Sequence, residues 1–328
     1  MKVLVTGATG FVGSHVVDVL LERGYTVSYV ARPTSNMQWL TEKPVSRLDG
    51  SLFDMHSLRA AVESADMVVH VAGLTAAKNE AEFLRGNRDA TRNVLDAIRA
   101  YRPDIKRYVH MSSLAVSGPS PDELHPVTET SGYRPITAYG RAKKLAEDLV
   151  NEAGKEFPIT IVRPPAVYGP RDSAILTFFQ TINRGIAPLI GFDEKKLSLI
   201  HARDLARGVV DAAESAKAVG ETYFLSSDYD YSWPEVANIT ADALGRKRLF
   251  KIRIPHPIVY GIAGVSGLFA KIRGKAAVLD YEKGHDMTQK YWTCRNDKAR
   301  HDFGFKQEIS LEAGILDTVT WYRKHGWL

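Results

Sequence analysis

Residues 6–13 read Thr-Gly-Ala-Thr-Gly-Phe-Val-Gly, and their position decides the fold. Behind them runs the apolar stretch Val3 to Thr6, which predicts a strand; ahead of them Val12 to Glu22 has the periodicity of a helix. Glycines at 7, 10 and 13 in such a turn permit positive φ, let the backbone approach a pyrophosphate and let helix and strand pack closely. The helix amino terminus adds N–H donors and a positive dipole end. No Gly-Lys-Ser/Thr follows, which excludes a P-loop. A dinucleotide cradle of Gly7, Thr9, Gly10, Phe11, Val12 and Gly13 is expected, the alternative being a strand-helix turn without a ligand.

Outward from this turn, short apolar runs alternate with helical patterns. Strands are predicted at Val3 to Thr6, Thr26 to Ala31, Met67 to Val71, Tyr108 to Ser112 and Ile159 to Arg163, and helices at Val12 to Glu22, Leu58 to Val62, Asn87 to Ala100 and Ala138 to Glu152. Gly24 suits a left-handed cap on the first helix. The runs are almost wholly apolar, as in strands buried on both faces, so the pattern predicts an α/β, doubly wound parallel sheet of Rossmann type. After Arg163 the rhythm gives way to Pro- and Gly-punctuated segments. The expected division is a cofactor domain over 1–165, with 196–226 returning to it, and a smaller α/β substrate region formed by 166–195 and 227–328.

A chain of 328 residues has room for both parts. With 45% apolar and 25% charged residues it is ordinary for a globular protein, which excludes a disordered or fibrous class. The one cysteine, Cys294, excludes an internal disulfide, and no Cys/His cluster has zinc-ligand spacing, so no metal is expected. MKVLVTGATG lacks the apolar core of a signal peptide, and a reducing, cytoplasmic setting is expected. The net charge of +5 is scattered among acids, which argues against nucleic acid as a partner.

The second strand ends Tyr29-Val30-Ala31-Arg32, without the acid that would accept hydrogen bonds from the ribose of NAD. Arg32 offers a fork-shaped cation for a 2′-phosphate, with Thr34 and Ser35 as hydroxyl donors, so NADP is expected ahead of NAD. A solvated loop arginine is the alternative. Tyr139-Gly-Arg-Ala-Lys143 opens a helical pattern, which puts phenol and ammonium on one face. A cation beside the phenol would lower its pKa.

The ordered set TGATGFVG, HVAG (70–73), GNRDATRNVLDA (86–97), MSSLAVSG (111–118), YGRAK, RPPAVYGP (163–170) and IHARDLARG (200–208) resembles the extended short-chain dehydrogenase/reductase, or NAD-dependent epimerase/dehydratase, family. The resemblance implies a triad of Ser113, Tyr139 and Lys143, with Tyr139 moving a proton while hydride passes to or from a nicotinamide. Asn87 matches an asparagine near the family's active site, though a helix-terminal polar residue is as good a reading. Cofactor contacts are implied at Leu52, Ala72, Gly73, Pro164 and Val167, besides Tyr139 and Lys143. The acidic adenine contact of the family is replaced here by Ser51-Leu52, and Asp54 is read as a helix cap. A homodimer is implied through the helices matching Asn87 to Ala100 and Ala138 to Glu152.

Relatives acting on nucleotide sugars commonly carry an asparagine where Ala166 stands and an arginine where Leu197 stands. Apolar replacements leave a diphosphate poorly paired, unless Lys195 or Lys196 compensates. Leu114-Ala115 replaces the acids usual in dehydratases. The chain looks closest to the 3β-hydroxysteroid dehydrogenase-like and dihydroflavonol reductase-like branch, which implies a ketone/alcohol oxidoreductase for a largely apolar small molecule. A nucleotide-sugar epimerase is the alternative, and a cofactor-sensing protein without catalysis a lesser one. Pro257 to Ala270 is apolar, flanked by Lys251, Arg253, Lys271, Arg273 and Lys275, and too short to span a bilayer. It reads as a helix over the substrate cleft, or as a weak contact with an anionic membrane. His201 and Asp204 read as a structural pair, and Trp321, Tyr322 and Trp327 as packing aromatics.

Overall fold

The computed structural model describes residues 1–272 and 280–328. Its strands are β1 (Lys2–Thr6), β2 (Thr26–Ala31), β3 (Val45–Asp49), β4 (Met67–His70), β5 (Arg107–Met111), β6 (Ile159–Arg163), β7 (Ala166–Tyr168), β8 (Ile186–Ile190), β9 (Lys196–His201), β10 (Glu221–Phe224), β11 (Asp230–Ser232), β12 (Phe250–Ile254) and β13 (Tyr291–Trp292). The α-helices are α1 (Phe11–Glu22), α2 (Arg59–Glu63), α3 (Glu80–Leu84), α4 (Ala90–Tyr101), α5 (Ala138–Ala153), α6 (Leu176–Asn183), α7 (Ala202–Glu214), α8 (Trp233–Ala243), α9 (His256–Ile272), α10 (Tyr281–Thr288), α11 (Asp297–Phe303) and α12 (Leu311–Lys324).

Seven strands form one parallel sheet in the order β10-β6-β5-β4-β1-β2-β3. The winding reverses between β1 and β4, which opens a crevice at their carboxyl ends. Gly7 leaves one strand there and Ala72 and Gly73 follow the other. Alternate strand residues feed two cores. Val3, Val5, Val69 and Val109 pack with α1 and α7, while Leu4, Val68, Tyr108 and Ile161 pack with α4 and α5 on the opposite face. The doubly wound fold expected from the sequence is therefore the fold observed.

The five expected strands are present, each end within one residue of its expected place. The sheet adds β3 and β10 at its two edges, where one neighbour is missing and polar residues are tolerated. Gly24, at φ 76°, ends α1 as expected, with Tyr25 N–H donating to the Leu20 carbonyl. The helix expected from Asn87 is corrected at its start. Arg85–Asp89 form a π-helical turn that joins α3 to α4, so Asn87 sits in that turn.

A second sheet contains β11, β9 and β13 in that order, with β7 also on β9, and β8 pairs with β12 in a two-stranded parallel ribbon. Beneath them Phe179, Leu197, Leu199, Val236, Ile315 and Tyr322 make a third core. Trp321, Tyr322 and Trp327 pack on one another at ring separations of 5.0–5.9 Å, as expected of packing aromatics. The stretch from Pro257 lies in α9, which rests on α10: the Tyr260 hydroxyl is hydrogen-bonded to Thr288 Oγ1 at 2.9 Å, and its ring lies 5.2 Å from that of Tyr281. Arg273 and Lys275 lie outside the described residues, as does the side chain of Lys271. No helix among the described residues is long and apolar enough to cross a membrane.

Candidate active site

The glycine turn is built for a ligand to approach the backbone. Gly7 has φ 74°, and a Cβ there would meet Ala72 N at 2.7 Å. At Gly13 a Cβ would meet the Gly7 carbonyl oxygen at 2.1 Å, so α1 starts hard against the turn only because that position is bare. Gly10 is the N-cap of α1 and supplies no side-chain cap, and the first turn holds no acid. Thr9, Gly10, Phe11 and Val12 are exposed or half-exposed, while Gly13 is buried. These features fit a dinucleotide pyrophosphate, which would receive the uncapped N–H groups.

The three expected triad positions come from two elements, the loop after β5 and α5, that the packing brings to one edge of this crevice. Ser113 follows β5 in extended conformation, and its Oγ accepts from Ala115 N–H at 3.2 Å. Ser112 beside it is buried, with an Oγ that has no partner among the described residues, while Ser113 is half-buried. Thr137 caps α5 by accepting from Gly140 N–H, and Tyr139 and Lys143 then lie one turn apart on that helix. Gly140 permits the approach: a Cβ there would sit 2.5 Å from the Ala115 carbonyl oxygen. A larger residue would hold the serine loop away from the tyrosine.

Lys143 is buried, and its Nζ donates to the Met111 carbonyl at 2.6 Å. Burial pulls its pKa down to about 8, opposed by the Glu147 carboxylate one turn on. For Tyr139 burial raises the pKa, and the Ser113 hydroxyl is the group that works against the rise. The expected lowering by the Lys143 ammonium is not found: desolvation of the phenolate sets the direction of the shift.

Asn87 is 1% exposed; its Nδ2 donates to the carbonyls of Leu74 at 3.1 Å and Phe83 at 3.0 Å, fixing which way the amide points. Its Oδ1 has no partner among the described residues. A Cβ on Gly73 would lie 2.6 Å from that oxygen and 3.4 Å from Lys143 Nζ, so the orphan acceptor and the ammonium face the same glycine. The π turn supplies this placement by shifting the helix register by one residue.

Other expected cofactor positions are dispersed around the crevice. Arg32 is exposed after β2 and makes no ion pair among the described residues; Ser35 N–H donates to its carbonyl, closing the loop into a turn. Leu52 is half-buried, its carbonyl accepting from Asn93 Nδ2 at 2.8 Å. Pro164 is buried with its carbonyl accepting from Leu114 N–H, which ties the β6 end to the serine loop, and Val167 is half-buried in β7. The cap expected at Asp54 is corrected: Met55 is the N-cap of the turn His56–Leu58, and Asp54, one residue earlier, accepts from His56 N–H in a local side-chain turn.

Two further expectations need correction. His201 and Asp204 are not hydrogen-bonded to each other: His201 Nδ1 accepts from Arg203 N–H as the cap of α7, while Asp204 accepts from Glu308 and Ile309 N–H and pairs with Arg207. Lys195 and Lys196 are already committed, the first to the Thr288 carbonyl at 2.7 Å and to Asp193, the second to Glu123. Ala166 is exposed and Leu197 is buried in the third core.

Sequence reasoning missed the groups that support the triad. Glu147 and Arg163 form a buried bidentate pair, at 2.9 and 2.6 Å, between α5 and β6, and the Tyr133 hydroxyl donates to the same carboxylate. The signal was present as a glutamate one turn beyond Lys143. Glu282 of α10 accepts from Ala138 N–H at the start of α5 and pairs with Arg141. Beneath the crevice His70 is hydrogen-bonded to Thr6 Oγ1 at 2.7 Å and Thr91 Oγ1 at 3.1 Å, and its ring stacks on that of His110.

Burial, reinforced by Lys143, pulls the His70 pKa down to about 3, and burial with nearby cations pulls His15 to about 3 as well. Between these values and the unfolded value near 6.5, the unfolded chain binds more protons than the folded one. Stability is therefore full above pH 6.5 and falls as the pH drops toward 3, by roughly 1 kcal/mol per pH unit for each histidine. Urea midpoints taken from pH 7 to pH 4 should show the decline. A flat profile would contradict the neutral, buried state of these rings.

The whole chain has relatives of known sequence and structure. It is 28% identical to ceramide reductase of Caulobacter vibrioides, over 99% of this chain and 96% of that protein. It is 26% identical to UDP-glucose 4-epimerase of Vibrio cholerae, over 97% of this chain and 94% of that protein. The crystal structure of gox2253, 27% identical, superposes with a TM-score of 0.83 over 100% of this chain and 99% of that one. A family model described as NAD dependent epimerase/dehydratase matches residues 3–226, which span the glycine turn, the serine loop, α5 and β6. With the doubly wound sheet and the glycine cradle at its switch point, that match assigns the chain to the NAD dependent epimerase/dehydratase family of extended short-chain dehydrogenase/reductases.

Proposed function

We propose that this protein is an NADP-dependent oxidoreductase that interconverts a ketone and a secondary alcohol on a largely apolar small molecule. The observation that carries the reading is the convergence of Ser113, Tyr139 and Lys143 beside the glycine cradle, with Gly140 allowing the serine loop to close on α5. The bound nicotinamide supplies or accepts the hydride. In the reducing direction Tyr139 donates its phenolic proton to the carbonyl oxygen, Ser113 orients that oxygen, and Lys143 stabilises the phenolate that remains. Asn87 Oδ1 is placed to hold a polar group between itself and Lys143.

Apolar Ala166 and Leu197, with Lys195 and Lys196 occupied elsewhere, favour an apolar substrate over a sugar diphosphate. The similarity to a ceramide reductase points the same way. The cofactor region and the triad lie in 1–165, with β10 of 196–226 completing the sheet edge, and the remaining segments form the substrate side. Leu145, 37% exposed on α5, supports pairing of two copies through α4 and α5.

The deciding experiment incubates the protein with NADPH or NADH and a panel of cyclic ketones, long-chain β-ketoacyl compounds and UDP-glucose. Oxidation of NADPH by an apolar ketone is expected. Interconversion of UDP-glucose without net cofactor oxidation would replace this reading by the epimerase one. Arg32→Ala should weaken NADPH binding by roughly tenfold to a hundredfold, as loss of a charged hydrogen bond does, and leave NADH binding unchanged. Equal effects on the two cofactors would remove Arg32 from the 2′-phosphate.

A further inference from the structure

The ribbon of β8 and β12 presents an apolar face that nothing among the described residues covers. In their parallel register Phe250 pairs with Ile186, Ile252 with Pro188 and Ile254 with Ile190, so these six residues share one side of the ribbon. On the other side Ala187 joins the third core and Leu189 is buried, while their partners Lys251 and Arg253 are exposed. Phe250 is 77% exposed and Ile252 45%, values that a face packed on its own protein would not show. One proline later α9 begins, and Ile258, Ile262 and Val265, spaced along one face of it, are each half exposed or more.

The segment that carries β12 and α9 has charge of one sign, and the acids beside it, Asp193 and Glu194, follow β8 at the far end of the ribbon, where Asp193 lies 3.7 Å from His256 Nε2. From Ala243 to Leu279 the sequence contains no Asp or Glu, whereas Arg246, Lys247 and Arg248 lead into β12 and Lys251 and Arg253 lie within it. Each of these five is exposed, and none makes an ion pair among the described residues. An apolar face with Arg246, Lys247 and Arg248 at one end, and with Lys251 and Arg253 exposed on the reverse of its edge strand, is complementary to the headgroups and acyl chains of an anionic bilayer. A second copy of the chain would bring the same cations against themselves.

We propose that the β8–β12 ribbon and α9 together form a docking face for an anionic lipid surface, through which a lipophilic substrate reaches the crevice. The link to the crevice is short. α9 rests on α10, whose Gly284 lies against Ala263, and Glu282 of α10 holds the first residue of α5, next to Tyr139. The delivery of substrate rests on the oxidoreductase reading, but the docking itself is measured without turnover, so the two fail separately.

The test is flotation of the full-length protein with vesicles of phosphatidylcholine and phosphatidylglycerol, against phosphatidylcholine alone. Flotation with the anionic vesicles only, abolished at high salt, is expected. Lys247→Glu and Arg248→Glu should each weaken partitioning by about fivefold or more, and Phe250→Asp and Ile262→Asp should abolish it, with NADPH binding unchanged as the sign of an intact fold. Absence of flotation, equal flotation with neutral vesicles, or full flotation of these variants would overturn the proposal. So would dissociation of a dimer by Phe250→Asp, which would show the face to be a contact between copies.

Discussion

Tyr139→Phe is expected to lower kcat by about 10²–10⁴-fold while dinucleotide binding persists, the loss that removal of a general acid produces. The phenyl ring keeps the packing of the native one, whose centroid lies 6.1 Å from that of Phe83. The substitution removes only the hydroxyl. The cofactor cradle at Gly7, Gly10 and Gly13 is formed by β1 and α1, elements that Tyr139 does not support, so titration with NADPH should give nearly the native affinity. Stopped-flow measurement of NADPH oxidation with the best ketone of the panel checks the first half, and quenching of protein fluorescence the second. Turnover undiminished in the variant would remove Tyr139 from the chemistry, whatever the fold.

Glu147→Ala should destabilise the protein by about 3–5 kcal/mol, the cost of leaving a buried charge unpaired. Both carboxylate oxygens are used, by two nitrogens of Arg163 and by the Tyr133 hydroxyl, and neither Glu147 nor Arg163 is more than 4% exposed. Arg163 cannot turn outward to water, because its guanidinium lies between the rings of Tyr133 and Phe224 at 5.0 and 5.6 Å. Urea denaturation reads the effect directly. Glu147→Gln keeps the shape and one acceptor and should lose less. A loss below about 1 kcal/mol for the alanine variant would show that water enters and solvates Arg163. Because Glu147 also favours the charged form of Lys143, either variant should move the basic limb of the pH-rate profile to lower pH.

The sequence alone determined the centre of the molecule. β1, β2, β4, β5 and β6 are interior strands packed on both faces, and burial on both faces demands the unbroken apolar runs that make them legible. The glycine turn was legible because its demands are largely local, a positive φ at Gly7 and the contact of Gly13 with the Gly7 carbonyl, although Gly7 is also held bare by Ala72 after β4. Family membership followed from the order of such local segments along the chain.

Only tertiary structure decided what depends on partners distant in sequence. β3 and β10 lie at the sheet edges, where half the burial is missing and Val-Ser-Arg-Leu-Asp can serve as a strand. His201 and Asp204, three residues apart and read as a pair, instead cap separate stretches of backbone, because packing of the 308–309 segment onto α7 brings Asp204 nearer acceptor-seeking N–H groups than any ring nitrogen. Glu147 found Arg163 across the α5–β6 interface, and the register of β8 with β12 put six apolar side chains on one face that no described residue covers. Local pattern specifies which residues must be buried or bent; which charge meets which, and which apolar face is left for something outside the chain, is settled by how the layers stack.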